Sequence, residues 1–366
     1  MAWWGVAMSL WHPLWPVTPD AESLKKGLAA VAKAQSIAGN TGRERDYIAA
    51  IATFYENYGK IDHRTRALAY EKAMQQVAQR YANDREASIF YSLALLATAP
   101  PTDKTYANQR KAGEILEKVF AEQPNHPGVA HYIIHSYDNP VLAERALPAA
   151  RSYAKIAPSV PHAQHMPSHI FVRLGLWQEA IASNLASAAA ARDYEIKSHM
   201  EGVWDQRLHA MDYLVYSYLQ TGQEGEARRV VEEASAITDV KPAGLIAEYA
   251  LAAIPARFTI ERQFWDGAAF LSPRPNTGPA AEAITWWARA LGAARLGDVA
   301  AAQQDITQIQ VMKSRLDASP DPNAKYWAGQ AEIQRREAAA LLAHAQGQDD
   351  EALRLMRSAV EMEDAT

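Results

Sequence analysis

The spacing of a few histidines restricts this 366-residue chain more than any other feature. Three stretches carry them: His131-Tyr-Ile-Ile-His135-Ser-Tyr-Asp138, His162-Ala-Gln-His165-Met-Pro-Ser-His169 and His209-Ala-Met-Asp212. His131 and His165 are 34 residues apart, and so are His135 and His169. A step of four residues keeps two side chains on one face of a helix. A step of about 34 residues is the period of a stacked helix pair. The two spacings together place the same face of successive repeats side by side, and they predict that these imidazoles converge.

The rest of the chain agrees with a helical array. Ala, Leu, Gln, Glu and Arg dominate, β-branched runs are scarce, and Gly and Pro fall between periodic segments, so the fold class is all-α and no strand is expected. Asp20 is placed to cap a helix running to about Ala38, which Gly39-Asn40-Thr41-Gly42 ends. Helical patterns follow from Glu44 to Tyr58, Arg64 to Tyr81, Glu86 to Ala97 and Tyr106 to Glu122, giving three helix pairs before the histidines. Met1 to Leu10 is apolar, yet it lacks the basic start and small-residue cleavage site of a signal peptide and is far short of a bilayer span. It reads as a packed helix whose partner is missing, in a chain cut from a longer one from which an export signal could have been removed.

One register runs through the sequence. With Gly175 at position 15 of a unit, Ser168 falls at 8 and Ala180 at 20, and one period earlier Ala146 falls at 20 and Pro158 at 32. Gly222 brings Ala227 to 20; Gly297 brings Ala290 to 8 and Ala302 to 20; Gly347 brings Ala340 to 8 and Ala352 to 20. In this pattern the chain resembles the tetratricopeptide-repeat superfamily, most clearly over residues 127 to 239 and 283 to 360. It is also similar to a bacterial subgroup bearing the blocks at 131 to 138 and 165 to 171. The resemblance implies an α-solenoid of stacked antiparallel helix pairs, a single array over 1–366 with N-terminal pairs (1–126), histidine-bearing repeats (127–239) and C-terminal pairs (240–366). It also implies a concave groove lined by positions 2, 5, 9, 12 and 13 of each first helix.

On that register every clustered residue faces the groove. His131, His135, His165, His169, His209 and Asp212 are the expected metal ligands, with His162, Asp138 and Glu86 as further ligands or as partners that orient a ring. Two His pairs plus a His and an Asp suit one or two divalent ions, zinc favoured, with iron, copper or manganese as alternatives. Arg173 is a candidate to hold a substrate carboxylate or phosphate, and Tyr216 a candidate proton donor, though a salt bridge and aromatic packing are competing readings of the two. Pro167 removes a backbone donor between His165 and His169 and threatens to splay that pair. A 13-residue delay before the third unit is expected to fold as a lid, with His199 exposed in it. His12, His63, His126 and His344 read as isolated.

Composition excludes several classes. A net charge of −5 with interspersed signs offers no basic stripe for nucleic acid or anionic lipid. The absence of cysteine removes disulfides and thiolate ligands and leaves the compartment open. No phosphate-binding glycine loop, nucleophile elbow or Cys/His nucleophile is present, so an enzyme here would be metal-dependent, hydrolase before oxidoreductase. The alternative is a non-catalytic groove that binds a peptide, a small molecule or a partner protein. Exposed terminal helices would favour self-association.

Overall fold

A helix pair needs one residue between its helices that turns the chain back without unravelling the last turn. In the helix pairs after residue 157 that residue sits in the left-handed region, and the N–H after it reaches the carbonyl five residues before. In the computed structural model, which describes residues 1–14 and 18–365, Gly175, Gly222, Gly297 and Gly347 have φ between +68° and +77°. The amides that follow them, Leu176, Gln223, Asp298 and Gln348, donate to Phe171, Tyr218, Ala293 and Ala343 at 2.8–2.9 Å. Glycine adopts this conformation without the Cβ clash that other residues suffer, which is why the turn signal was legible. A fifth turn uses Gln263, with φ +52° and the matching bond from Phe264 to Thr259 at 2.8 Å.

The chain divides into two compact units, Met1–Ile156 and Ala157–Thr366. The first contains α1 (Ala2–Ser9), α2 (Ala21–Gln35), α3 (Gly42–Tyr55), α4 (His63–Arg80), α5 (Arg85–Ala97), α6 (Ala107–Glu122), α7 (Pro127–Tyr137) and α8 (Leu147–Ile156), the last entered through a 3-10 turn at Ala143–Ala146. They stack as successive pairs. Asp20 caps α2 by accepting the Ser23 N–H at 2.7 Å, and Thr41 and Glu44 form a reciprocal capping box at the start of α3. The N-terminal helix does have its partners, contrary to the expectation from sequence. Trp4 packs edge-on against Phe90 with centroids 4.9 Å apart, Tyr55 donates to the Ala7 carbonyl at 2.7 Å, and Trp11 beyond the helix stacks on Phe54 at 3.8 Å. Burying an aromatic of this size contributes a few kcal/mol, roughly 2–3.

The second unit contains α9 (Pro161–His165), α10 (Pro167–Arg173), α11 (Trp177–Lys197), α12 (Asp205–Gln220), α13 (Glu224–Ala236), α14 (Leu245–Glu261), α15 (Trp265–Ala269), α16 (Pro279–Arg295), α17 (Val299–Asp317), α18 (Ala324–Ala345) and α19 (Asp349–Asp364). These are tetratricopeptide-like pairs, with first helices α12, α14, α16 and α18 packed side by side. Small residues at the expected register positions are buried: Ser168, Ala180, Ala227, Ala290 and Ala302 are fully enclosed and Ala340 nearly so, which allows the helices their close approach. Ala352, in α19, is half-buried.

One short pair of strands departs from the all-helical expectation. β1 (Val203–Trp204) and β2 (Val240–Lys241) run parallel, with Val203 opposite Val240. Together with extra turns of α11 they take up the 13-residue delay. The expected lid is instead a tethered extension: Trp204 packs on Tyr194 at 4.5 Å, and Glu195 accepts the Trp204 N–H and pairs with Arg207. His199 is exposed as expected. Among the described residues no helix is long and apolar enough to cross a membrane.

Two measurements follow from this architecture. A Cβ at Gly222 would meet nothing within 4 Å, so Gly222→Ala tests the backbone alone and should lower stability by about 1–2 kcal/mol in urea denaturation, whereas Gln263→Gly should raise it. Secondly, Arg335 and Arg336, 2.8 Å from the Glu332 carboxylate, hold its pKa down at about 2 against the opposing effect of burial. The unfolded carboxylate binds its proton at higher pH, so this contribution is complete above the ordinary glutamate range and is lost as pH falls toward 2. Melting temperatures across that range should show the loss in the wild type and a flatter profile in Glu332→Gln.

Candidate metal centre

Three imidazoles come together in the second unit. His165 and His169 lie a turn apart on α9 and α10, and His209 comes from α12. One ring nitrogen of each lies within 4.8 Å of those of the other two, so the three could hold one metal ion. The Nε2 atoms of His165 and His169 are 3.1 Å apart, and the rings of His165 and His209 have centroids 4.3 Å apart. Tyr213, one turn after His209, closes one side, its ring centroid 4.6 Å from His165, 5.3 Å from His169 and 5.6 Å from His209.

Pro167 does divide the helix, at Met166, but the pair is not splayed. Met166 keeps right-handed helical dihedrals, so the two segments stay nearly in phase. Carbonyls at the break find side-chain donors: the Ser168 hydroxyl donates to His165 at 2.7 Å and the Ser183 hydroxyl donates to Gln164. A further serine, Ser187 of α11, donates to the Pro161 carbonyl at 2.9 Å. The second helix of the pair thus fixes the segment that carries the histidines.

The tautomer of His165 is fixed by its neighbour. Asn184 Nδ2 donates to the Ala180 carbonyl at 2.9 Å, which orients the amide so that its oxygen faces His165 Nδ1 at 2.7 Å. That oxygen can only accept, so Nδ1 carries the proton and Nε2 presents a lone pair. His169 Nε2–H then donates to it in the metal-free protein. His165 is 2% exposed, and burial, then the neighbouring His209 and His169, push its pKa well below the ordinary histidine value. Burial also depresses His209 and His162 to about 4. These rings are neutral near pH 7, the form that ligates metals.

The remaining expected residues are placed as follows. His162 lies a turn before His165 on α9, ring centroids 6.5 Å apart. Asp212 is buried but turned to Arg257, whose Nη2 donates to Oδ1 at 3.2 Å; burial raises the carboxyl pKa against the lowering effect of that guanidinium. Tyr216 lies between Arg257, 5.1 Å from its ring centroid, and the edge of Trp177 at 5.5 Å, a packed position. Arg173 ends α10. In the first unit His131 and His135 face each other with Nε2 atoms 3.0 Å apart, and Tyr153 stacks on His131 at 5.5 Å. Asp138 follows as the last residue of that helix's C-cap. Glu86 is engaged by His126, which is therefore not isolated: Nδ1 accepts the Val129 N–H at 3.2 Å, and Nε2 donates to Glu86 at 3.1 Å.

Asn184, Tyr213 and Arg257 were not singled out from sequence. Tyr213 had a signal, the four-residue step from His209. Asn184 had a weaker one, a polar residue four positions after the small Ala180.

No family's sequence model matches this chain, and no curated protein sequence does. Among solved structures it is similar to a chain of the APC/C hetero-tetramer Cut9–Hcn1, with 12% identity over 95% of this chain and 62% of that one and a TM-score of 0.35. This chain therefore spans less than two thirds of that relative's length. By fold the chain is tetratricopeptide-like. A monomeric IFIT1 mutant with m7Gppp-AAAA matches at 12% identity, 94% and 75% coverage and TM-score 0.41, and the human IFIT1 dimer with m7Gppp-AAAA at 13%, 93% and 87%, and 0.30. Its own repeated turns and buried small residues carry that assignment.

Asn184→Leu should leave the buried His165 N–H without an acceptor and destabilise the metal-free protein by about 1–3 kcal/mol in urea denaturation. A change within a few tenths of zero would show that Asn184 does not hold the ring.

Proposed function

We propose that this chain is a tetratricopeptide-like scaffold for a metal centre ligated by His165, His169 and His209, zinc being the favoured ion. The observation that carries the reading is the Asn184 amide, which leaves the His165 Nε2 lone pair directed at His169 Nε2 in a buried setting. Two nitrogens on one tetrahedral zinc, at 2.0–2.1 Å each, stand about 3.3 Å apart. The 3.1 Å separation is within a few tenths of that, as is the 3.0 Å between His131 and His135, which we take as the candidate for a second ion. Asn184 is the partner that orients a ligand ring through its other nitrogen.

The donor set narrows the metal. Asp212, committed to Arg257, leaves three imidazoles without the carboxylate of a non-haem iron facial triad or the oxygen donors that manganese prefers, so copper is the nearer alternative. A divalent ion held here would polarise a carbonyl or phosphoryl oxygen and activate a bound water, and hydrolysis is the favoured activity, with copper redox chemistry a nearer competitor than iron. In such a site Asn184 keeps His165 oriented, and Tyr213 shields the three rings from water on one side.

A peptide- or partner-binding groove is the second reading. It is favoured by an aromatic group in the second unit, where Trp327 contacts Tyr249 on one side and the exposed Tyr326 on the other.

Elemental analysis of untagged protein tests the choice. One tightly held ion per chain, lost in His165→Ala/His209→Ala, is expected; a second would be lost in His131→Ala/His135→Ala. Metal-free protein with no affinity for zinc that retains binding to peptides would replace the first reading with the second.

A further inference from the structure

His63 is not isolated in the fold. It opens α4 with its ring edge-on to Trp11, centroids 6.4 Å apart, and to Phe54 of α3 at 5.5 Å. Trp11 is 2% exposed, lies flat on Phe54 and meets the edge of Tyr70. It continues the segment that Tyr55 and Tyr70 hold through the Ala7 carbonyl at 2.7 Å and the Met8 sulfur at 3.6 Å. Nδ1 of His63 is buried there with no hydrogen-bond partner among the described residues. A neutral ring tolerates this, because one of its nitrogens is a bare lone pair. An imidazolium carries N–H on both nitrogens and would leave a buried donor unsatisfied.

The charges around the ring also oppose a proton. Arg66, a turn further along α4, is buried and donates to the Phe54 and Ile61 carbonyls at 2.7 and 3.1 Å, so a fixed cation already lies against Phe54. Asp62, the carboxylate that acts on the ring, is engaged as the N-cap of α4 by the Thr65 amide and hydroxyl. The two other elements against the ring present Trp11, with exposed His12 beside it in sequence, and Phe54, with Tyr55 beside it. A helix N-terminus disfavours a cation in addition. Burial, followed by Arg66, holds the His63 pKa below the ordinary histidine value.

We propose that His63 makes the docking of residues 1–14 pH-dependent: the segment is held on α3 and α4 while the ring is neutral, and protonation releases it and uncovers the apolar surface of Phe54 and Tyr70. In the released state the ring is hydrated and takes up its proton in the ordinary histidine range. Docking is therefore complete above that range and weakens as pH falls through it. The switch needs no metal and operates whether or not the histidine centre binds one.

Hydrogen–deuterium exchange of the full chain, followed by mass spectrometry from about pH 7.5 to about pH 5.5 and corrected for the intrinsic pH dependence of exchange, tests this. Protection within residues 1–14 should fall at least about threefold across that range in the wild type, while α6 keeps its protection. His63→Phe preserves the edge contacts and cannot titrate; it should dock as the wild type does at neutral pH and show no fall. His63→Gln, also without a titrating ring, carries the same expectation of no fall should the phenylalanine variant fail to fold. His12→Gln should respond as the wild type does. A wild type with no fall in residues 1–14 would overturn the proposal. So would an equal fall in α6, which marks general acid unfolding, a fall that persists without the His63 imidazole, or one that disappears in His12→Gln.

Discussion

The backbone bond closing each helix pair of the second unit, from the amide after a left-handed residue to the carbonyl five positions earlier, is the constraint on which the candidate site depends. It recurs with nearly constant length at Leu176, Gln223, Phe264, Asp298 and Gln348. Because the turn is the same each time, the first helix of each pair in the second unit returns with the same face toward its neighbour. A side chain placed on that face is then placed against the one a repeat away. Convergence of His165 and His209 is a consequence of turn geometry before it is one of any attraction between imidazoles.

Packing then turns proximity into a candidate site. Imidazoles in contact gain little from each other, and burial makes protonation of His165 and His209 unfavourable. What organises them is the second helix, α11, which supplies Asn184 to one ring and Ser183 and Ser187 to the backbone of the broken segment. This arrangement leaves the His165 Nε2 lone pair directed at the His169 ring. The neighbouring Asp212–Arg257 pair is self-neutralising and leaves the imidazoles as the local donors.

The residues missed from sequence share a physical cause. Asn184 acts on His165 across 19 residues, and Arg257 on Asp212 across 45. Such pairings depend on how two helices rotate about their axes when they pack, and no local period records that rotation. Asp212 was read as a ligand because its register position is right; whether it meets a metal or a guanidinium depends on the next repeat. Glu86, expected as a further ligand, is bound by His126, a residue whose isolation in sequence hid a double role as helix cap and ion-pair partner.

Local chemistry was therefore readable without coordinates. The left-handed glycines, the Asp20 cap, the small residues between helices and the four-residue histidine pairs each depend on a few neighbouring residues, and the chain states them directly. Tertiary structure alone decided that the break at Pro167 leaves His165 and His169 together, that the 13-residue insertion becomes a tethered β-bridge and helix extension, and that Asp212 belongs to Arg257. Each of these is a competition between groups far apart in the chain, settled by which partner the packed helices bring within hydrogen-bond reach.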